Sequence, residues 1–286
     1  MLHQKLNIEV DYQKLGLEKT GDHQPTLECY VPYNTRTPAV NRPTVIICPG
    51  GGYAHTSDRE AEPIALGFLN QGFNCFVVWY STTSSAENIV HFPTSLFELA
   101  TAVSMVRANA EEWLVDKDKI YVCGFSAGGH LAASLGTLWN RDFLKDALGF
   151  HNEEHKPNGL VLSYPVILAP TNGKPAHYGS FANLLGDKVT DNEMLELLSL
   201  EKQVSSDTPP AFLWHTFTDQ LVPVRNSIDF AAAMADAGVS CEMHIYPYGP
   251  HGTARADDTT SVDGNLIVPE CQEWITLASR WIKSFN

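Results

Sequence analysis

Three observations predict an α/β fold: a mostly parallel, eight-stranded twisted sheet with an N-terminal antiparallel ribbon and helices on both faces. Short apolar, partly β-branched runs alternate with helical stretches from Thr44 to the C-terminus, the pattern of parallel strands joined by crossover helices. Two strands with in–out alternation come before any helix, as in an antiparallel edge ribbon. Between them in importance stands Tyr121–His130, where the chain leaves a strand and enters a helix through Gly124-Phe125-Ser126-Ala127-Gly128. With 286 residues, 44% hydrophobic and 18% charged, the chain is long enough for one large domain of this class. The expectation is a single unit over residues 1–286 with a cap-like insertion at about 165–208.

The elements follow in order. Leu6–Val10 and Leu27–Val31 alternate in polarity and are separated by the turn signal Gly21-Asp22. Thr44–Cys48 is a buried strand ended by Pro49-Gly50-Gly51-Gly52-Tyr53. Ser57 or Asp58 caps a helix that runs to about Gln71 and stops at Gly72. Arg59 at its start opposes the helix dipole and is expected to have a carboxylate partner. Phe73–Tyr80 is the next core strand, followed by a polar loop from Ser81 to His91. Pro93 opens a helix to Trp113, Asp116–Lys119 turns, and Ile120–Cys123 is the strand before Ser126. Gly159–Tyr164, Ala211–His215 and Ser240–Tyr246 are the remaining strands. Between them lie a long mixed segment from Pro165 to Pro210, with a helix from Asp191 to about Glu201, and a helix from Pro223 to Gly238. Phe181, Leu184, Leu185, Met194 and Leu198 of that segment either cover a pocket or anchor the insertion. The last helix carries Cys271, Trp274, Ile275, Leu277 and Trp281.

Composition excludes several function classes. A formal net charge of −14 repels nucleic acid and anionic membrane surfaces, so neither is expected as a partner. Met1–Val10 has no signal-peptide apolar stretch, and no run approaches a membrane span. Cys29, Cys48, Cys75, Cys123, Cys241 and Cys271 form no C-x-x-C pair and lie mostly in apolar runs. They read as buried free thiols of a reducing compartment, hence a cytoplasmic protein. A homo-oligomer is left open. His151-Asn152-Glu153-Glu154-His155 matches H-x-x-E-H, but the stretch is polar all round and cut off by Pro157-Asn158-Gly159. It reads as a solvated turn, and no metal or other cofactor is expected.

The chemistry centres on Ser126. A sharp strand-to-helix turn forces its central residue into a strained conformation and needs small neighbours, which Gly124 and Gly128 supply. A serine hydroxyl is a weak nucleophile and needs a base oriented by a carboxylate. His251 is the histidine that follows the last strand in a Gly-rich loop, and Asp219 is the acid just beyond the penultimate strand. His215 and His244 lie within strands and His130 on the elbow helix, where packing is the default role. Gly51 and Gly52, with Ala127, are the expected amide donors to an oxyanion. The G-K-[ST] of a phosphate loop and the G-x-G-x-x-G of a dinucleotide fold are both missing. Tyr53, Tyr80, Phe92 and Trp214, together with Trp79, stand near strand carboxyl ends and are expected to line a small substrate pocket.

These residues resemble the α/β-hydrolase superfamily, and within it the acetyl xylan esterase-like carboxylesterases near the hormone-sensitive-lipase branch. The resemblance is carried by Cys48–Tyr53, Arg59-Glu60, Cys123–Ala132, Trp214-His215-Thr216 with Asp219, Val222-Pro223 and His251-Gly252. It extends from about residue 43 to the C-terminus and is weakest in the insertion. Pro49 stands where that branch usually has a histidine. The resemblance implies hydrolysis of short-chain, acetyl-type esters, acetylated sugars among them, with a small-molecule ester as substrate. Lipase, peptidase or acyltransferase chemistry on the same residues, and a non-catalytic binding role, are the alternatives.

Overall fold

The computed structural model describes residues 1–17, 19–35, 39–83, 89–171, 173 and 175–285. Among them the strands are β1 (Leu2–Asn7), β2 (Thr26–Val31), β3 (Arg42–Cys48), β4 (Asn74–Trp79), β5 (Val115–Phe125), β6 (Gly159–Ser163), β7 (Ala211–Thr216) and β8 (Cys241–Tyr246). They form one sheet in the order β1-β2-β4-β3-β5-β6-β7-β8. β1 pairs antiparallel with β2 and β2 antiparallel with β4; every later pairing is parallel. The helices are α1 (Glu62–Asn70), α2 (Thr94–Ala108), α3 (Ala127–Leu138), α4 (Asp142–Leu148), α5 (Tyr178–Leu185), α6 (Asn192–Leu197), α7 (Arg225–Asp236) and α8 (Trp274–Ser284).

The central strands are apolar on both sides because both faces of the sheet are covered. Their two-residue period divides the core. Val45, Ile47, Tyr121, Cys123, Phe125, Phe212 and Trp214 face a cluster built with Phe68 of α1 and Trp274 and Trp281 of α8. Ile46, Cys48, Ile120, Val122 and Leu213 face the other cluster, with α2, α3 and α7. Phe68 sits edge-on to both Phe73 and Trp274, at 5.7 and 5.9 Å. Burying each such ring contributes roughly 2–3 kcal/mol. All six cysteines are free thiols, five of them buried and Cys241 partly so. No helix among the described residues is long and apolar enough to cross a membrane.

Several boundaries differ from those expected. The first strand is Leu2–Asn7, not Leu6–Val10. Its register is set by backbone pairing with Thr26–Val31, and an exposed edge strand containing His3, Gln4 and Lys5 carries little hydrophobic signal. The helix expected from Ser57 is a 3-10 turn at Asp58–Glu60 and then α1, separated by Ala61 at φ −106°, ψ −104°. Asp116–Lys119 lies inside β5, beside a register shift against β3. Cys271 belongs to a 3-10 turn before α8. Arg59 has a carbonyl partner in place of the expected carboxylate: its Nη1 donates to Gly252 O at 2.9 Å and Thr260 O at 3.3 Å. His155 is not solvated: it is 2% exposed, stacks on Phe150 at 4.5 Å and reaches Trp139 O at 2.7 Å. Ser84–Asn88 of the expected polar loop lie outside the described residues.

The insertion joins the main core. Phe181, Leu184, Leu185 and Leu198 are buried in the same cluster as α2 and α3, with Met194 packed at its margin. The helix expected over Asp191–Glu201 is shorter: Asp191 accepts from the Glu193 and Met194 amides to cap α6, and a 3-10 turn follows at Leu200–Lys202.

The strand-to-helix turn is sterically closed. Ser126 has φ 52° and ψ −117°. A Cβ on Gly124 would stand 2.2 Å from Gly128 O, and one on Gly128 would stand 2.2 Å from Cys48 O. Both obstacles are backbone, which cannot rotate away. We expect Gly128→Ala to lower the unfolding free energy by roughly 3 kcal/mol or more. Gly149→Ala, at φ 71° with nothing within 4 Å, should cost only about 1 kcal/mol. Urea melts of the two variants check this, and equal costs would contradict the closed turn.

Candidate active site

Three loops at the carboxyl end of the sheet bring Ser126, Asp219 and His251 together. Ser126 sits between β5 and α3; its N–H donates to Ser163 O at 3.1 Å, and its carbonyl accepts from the His130 and Val166 amides. Asp219 follows β7, where its Oδ1 accepts from the Leu221 and Val222 amides, both at 2.9 Å. His251 follows β8. Its Nε2 lies 2.8 Å from Ser126 Oγ and its Nδ1 2.6 Å from Asp219 Oδ2. A carboxylate only accepts, so Nδ1 carries the proton and Nε2 is free to accept from the serine hydroxyl. The serine is largely buried, 7% exposed.

The acid has a second histidine. His215 Nε2 donates to Val222 O at 2.8 Å and lies 3.3 Å from Asp219 Oδ2, while its Nδ1 meets Ser227 Oγ at 2.8 Å. Burial by itself would raise the Asp219 pKa. Hydrogen bonds from His215 and His251, with the Val222 amide, outweigh it and hold the carboxyl well below its usual range. The carboxylate form of Asp219 is thereby favoured.

The glycine loop lies beside the serine. Gly51 has φ 128° and Gly52 φ 65°, and a Cβ on Gly51 would stand 2.2 Å from His55 O. Among the described residues, no protein acceptor takes the N–H of Gly51, Gly52 or Ala127. Asn183 of α5 fixes the loop from the other side, donating from Nδ2 to Gly52 O at 2.8 Å. The arrangement offers a hydroxyl hydrogen-bonded to a histidine that is itself bonded to a carboxylate, with free amides in the adjoining glycine loop, the kinds of group that acyl transfer needs.

The BD-FAE family profile matches residues 27–234, most of the chain. The chain belongs to the BD-FAE family. It is 38% identical over 224 residues to endo-1,4-beta-xylanase B of Butyrivibrio fibrisolvens, covering 77% of this chain and 34% of that protein. It is 31% identical over 244 residues to the acetylxylan esterase of Xylanibacter ruminicola, covering 84% and 46%. The chain thus spans about a third to a half of the length of these curated relatives. The solved structure of an acetyl ester-xyloside bifunctional hydrolase from Caldicellulosiruptor lactoaceticus superposes with a TM-score of 0.80 at 33% identity, over 98% of this chain and 96% of that one. The sheet order and the Ser126 turn are those of the α/β-hydrolase fold.

In this BD-FAE member the five rings expected to line one pocket are dispersed, and only Tyr53 and Tyr80 meet. Trp214 is fully buried on the α8 face, stacked on Trp274 at 5.3 Å, with Nε1 donating to Ser163 Oγ at 2.7 Å. The two-residue strand period puts it on the face of the sheet covered by α8. Phe92 packs against Phe143 at 6.0 Å and borders a different cavity with Leu17, Leu185 and Met194. Trp79 points to the sheet edge, where Nε1 donates to Glu28 Oε2 at 2.8 Å. Tyr80 is buried and donates to Pro49 O at 2.6 Å. Tyr53 is buried 6.2 Å from Tyr80, and its OH is 2.9 Å from His130 Nδ1. These two rings therefore support the glycine loop from behind.

Residues that sequence reasoning passed over complete the surround. Tyr164 stands edge-on to His251 at 5.0 Å. His177 caps α5 by accepting from the Ser180 amide. Burial, then the nearby His251, push its pKa down against the pull of Asp219. Neither lies in a motif; a tyrosine directly after a buried strand was the one available signal.

His130 makes a pH prediction. Its Nε2 donates to Leu198 O at 3.0 Å, so Nδ1 accepts from Tyr53. Burial lowers its pKa to about 4, opposed by the Leu198 bond. The unfolded chain takes up this proton near pH 6.5 and the folded one does not until about pH 4. Stability is thus fully present above pH 6.5 and lost as pH falls from 6.5 to 4, by up to about 3 kcal/mol. His130→Gln should flatten the slope of stability against pH in that window. Denaturant titrations of both proteins at several pH values test it, and an unchanged slope would contradict the assignment.

Proposed function

We propose that this chain is a serine carboxylic ester hydrolase acting on short-chain, acetyl-type esters, acetylated sugars included. The observation that carries the reading is the contact of His251 with both Ser126 Oγ, at 2.8 Å, and Asp219 Oδ2, at 2.6 Å. Ser126 Oγ attacks the ester carbonyl as His251 Nε2 takes its proton. Asp219 stabilises the imidazolium and holds the ring in place. The amides of Gly51, Gly52 and Ala127 receive the developing oxyanion. The imidazolium then protonates the departing alcohol, leaving an acyl group on Ser126. Water, deprotonated by the same nitrogen, hydrolyses it and restores the serine.

The acyl preference rests on two supports. Relatives named as acetylxylan esterase and acetyl ester-xyloside hydrolase match over most of this chain. Behind the glycine loop, Tyr53, Tyr80, His130 and Phe181 are packed ring against ring at 5.2–6.2 Å, which leaves a short acyl group as the better fit. The insertion, in this reading, is a fixed wall of the pocket within a single catalytic unit.

Ser126→Ala should fold normally and lose nearly all hydrolysis of p-nitrophenyl acetate. Asp219→Asn should lower kcat by roughly 10³–10⁴-fold, whereas Asp187→Asn and Asp207→Asn should change it little. Steady-state kinetics of the four variants decide this, and near-wild-type activity in Ser126→Ala would overturn the mechanism.

The acyl-chain series is the second test. At equal sub-saturating concentration, kcat/KM should fall steeply from butyrate to octanoate esters. Each methylene left unburied forgoes roughly 0.8 kcal/mol of binding, and a clash costs more. A maximum at octanoate or beyond would indicate a lipase-like groove.

A further inference from the structure

One buried carboxylate outside the Ser126–His251–Asp219 set touches both halves of the site. Glu60 is 3% exposed. Its Oε2 accepts from the Gly50 amide at 2.8 Å, and its Oε1 accepts from Tyr164 OH at 2.7 Å. The Tyr164 oxygen in turn accepts from the Ala254 amide at 2.9 Å. Gly50 precedes the two glycines whose amides are free, and Ala254 lies three residues past His251. The Gly50 position is tight: a Cβ there would stand 2.8 Å from Glu60 Oε2 and 3.0 Å from Ser126 Cβ. Next in the chain, Arg59 donates to Gly252 O at 2.9 Å, so two successive residues of one 3-10 turn hold the histidine loop.

We propose that Glu60 is a positioning residue that locks the oxyanion loop to the histidine loop through Tyr164. The proposal rests on the serine-esterase reading above. Two donors, the Gly50 N–H and the Tyr164 O–H, converge on this side chain, so both of its terminal atoms must accept. A glutamine has the same shape but only one accepting atom. In Glu60→Gln one donor faces an NH₂ group, and the loop it belongs to shifts. Shifts of this size matter because oxyanion donors and a general base act only at hydrogen-bond distance.

The test compares wild type, Ser126→Ala, Glu60→Gln, Tyr164→Phe and the Glu60→Gln/Tyr164→Phe double variant on p-nitrophenyl acetate. Turnover is taken per fluorophosphonate-titrated site in the variants that keep Ser126, so a misfolded fraction does not count as lost kcat, and per mole of folded protein in Ser126→Ala, which has no hydroxyl to label. Glu60→Gln should lower kcat about 100-fold with KM within about threefold of wild type. Tyr164→Phe, which leaves the Gly50 bond in place, should lower kcat about tenfold. The double variant should fall within about twofold of Glu60→Gln alone, because the two groups act as one unit. A Glu60→Gln kcat within threefold of wild type, a loss confined to KM, or single-variant effects that simply multiply would overturn the proposal. If Glu60→Gln does not accumulate as folded protein, Tyr164→Phe decides: a tenfold loss in kcat at constant KM supports the lock, and unchanged kcat overturns it. An inactive wild type, or an active Ser126→Ala, would instead overturn the esterase reading and this proposal with it.

Discussion

A serine held at φ 52° is the constraint on which the rest of the site depends. That conformation costs on the order of 1–3 kcal/mol in a non-glycine residue and persists only when the surroundings allow nothing else. Here the surroundings are two backbone crossings. Gly124 passes against Gly128, and Gly128 passes against the carbonyls of Cys48 and Pro49, each too close for a side chain. The second crossing joins the start of α3 to the end of β3. It therefore also fixes where the glycine loop begins, with Gly50 beside the Ser126 Cβ.

The other loops at that end of the sheet are pinned by side chains bonded to backbone. Asp219 is held by the Leu221 and Val222 amides, and His215 reaches both Val222 O and the carboxylate. Asn183 holds Gly52 O from the insertion, and Thr216 and Thr218 both donate to Gly249 O just before His251. Loop backbone would otherwise be the most mobile part of such a fold. Ties of this kind hold His251 at hydrogen-bond distance from Ser126.

The segment between β6 and β7 is built into the core and reaches the glycine loop from there. Phe181, Leu184, Leu185 and Leu198 sink into the core, so the anchoring reading of these residues is the one their burial supports. Anchored there, α5 presents Asn183 to the glycine loop and His177 to the neighbourhood of His251. His130 is fastened from both sides, by Tyr53 and by Leu198 of the insertion.

What the sequence determined by itself is local: the parallel alternation, the two-residue period of the buried strands, and the turn whose two glycines have backbone against them. Chain order after each strand pointed to Asp219 and His251, and the convergence of loops at the strand carboxyl ends brings both to Ser126. The tertiary structure alone decided which way each ring faces and what supports each loop. Trp214 looked like a pocket residue from its place near a strand end, but strand parity turns it onto Trp274. The edge strand lies at Leu2–Asn7 because its register comes from the backbone of its neighbour, which leaves no hydrophobic trace in the sequence. Arg59 found carbonyls 193 and 201 residues away, and Tyr164 found Glu60 across 104 residues. Such long-range hydrogen bonds depend on the packing of the whole sheet, and residue spacing along the chain carries no record of them.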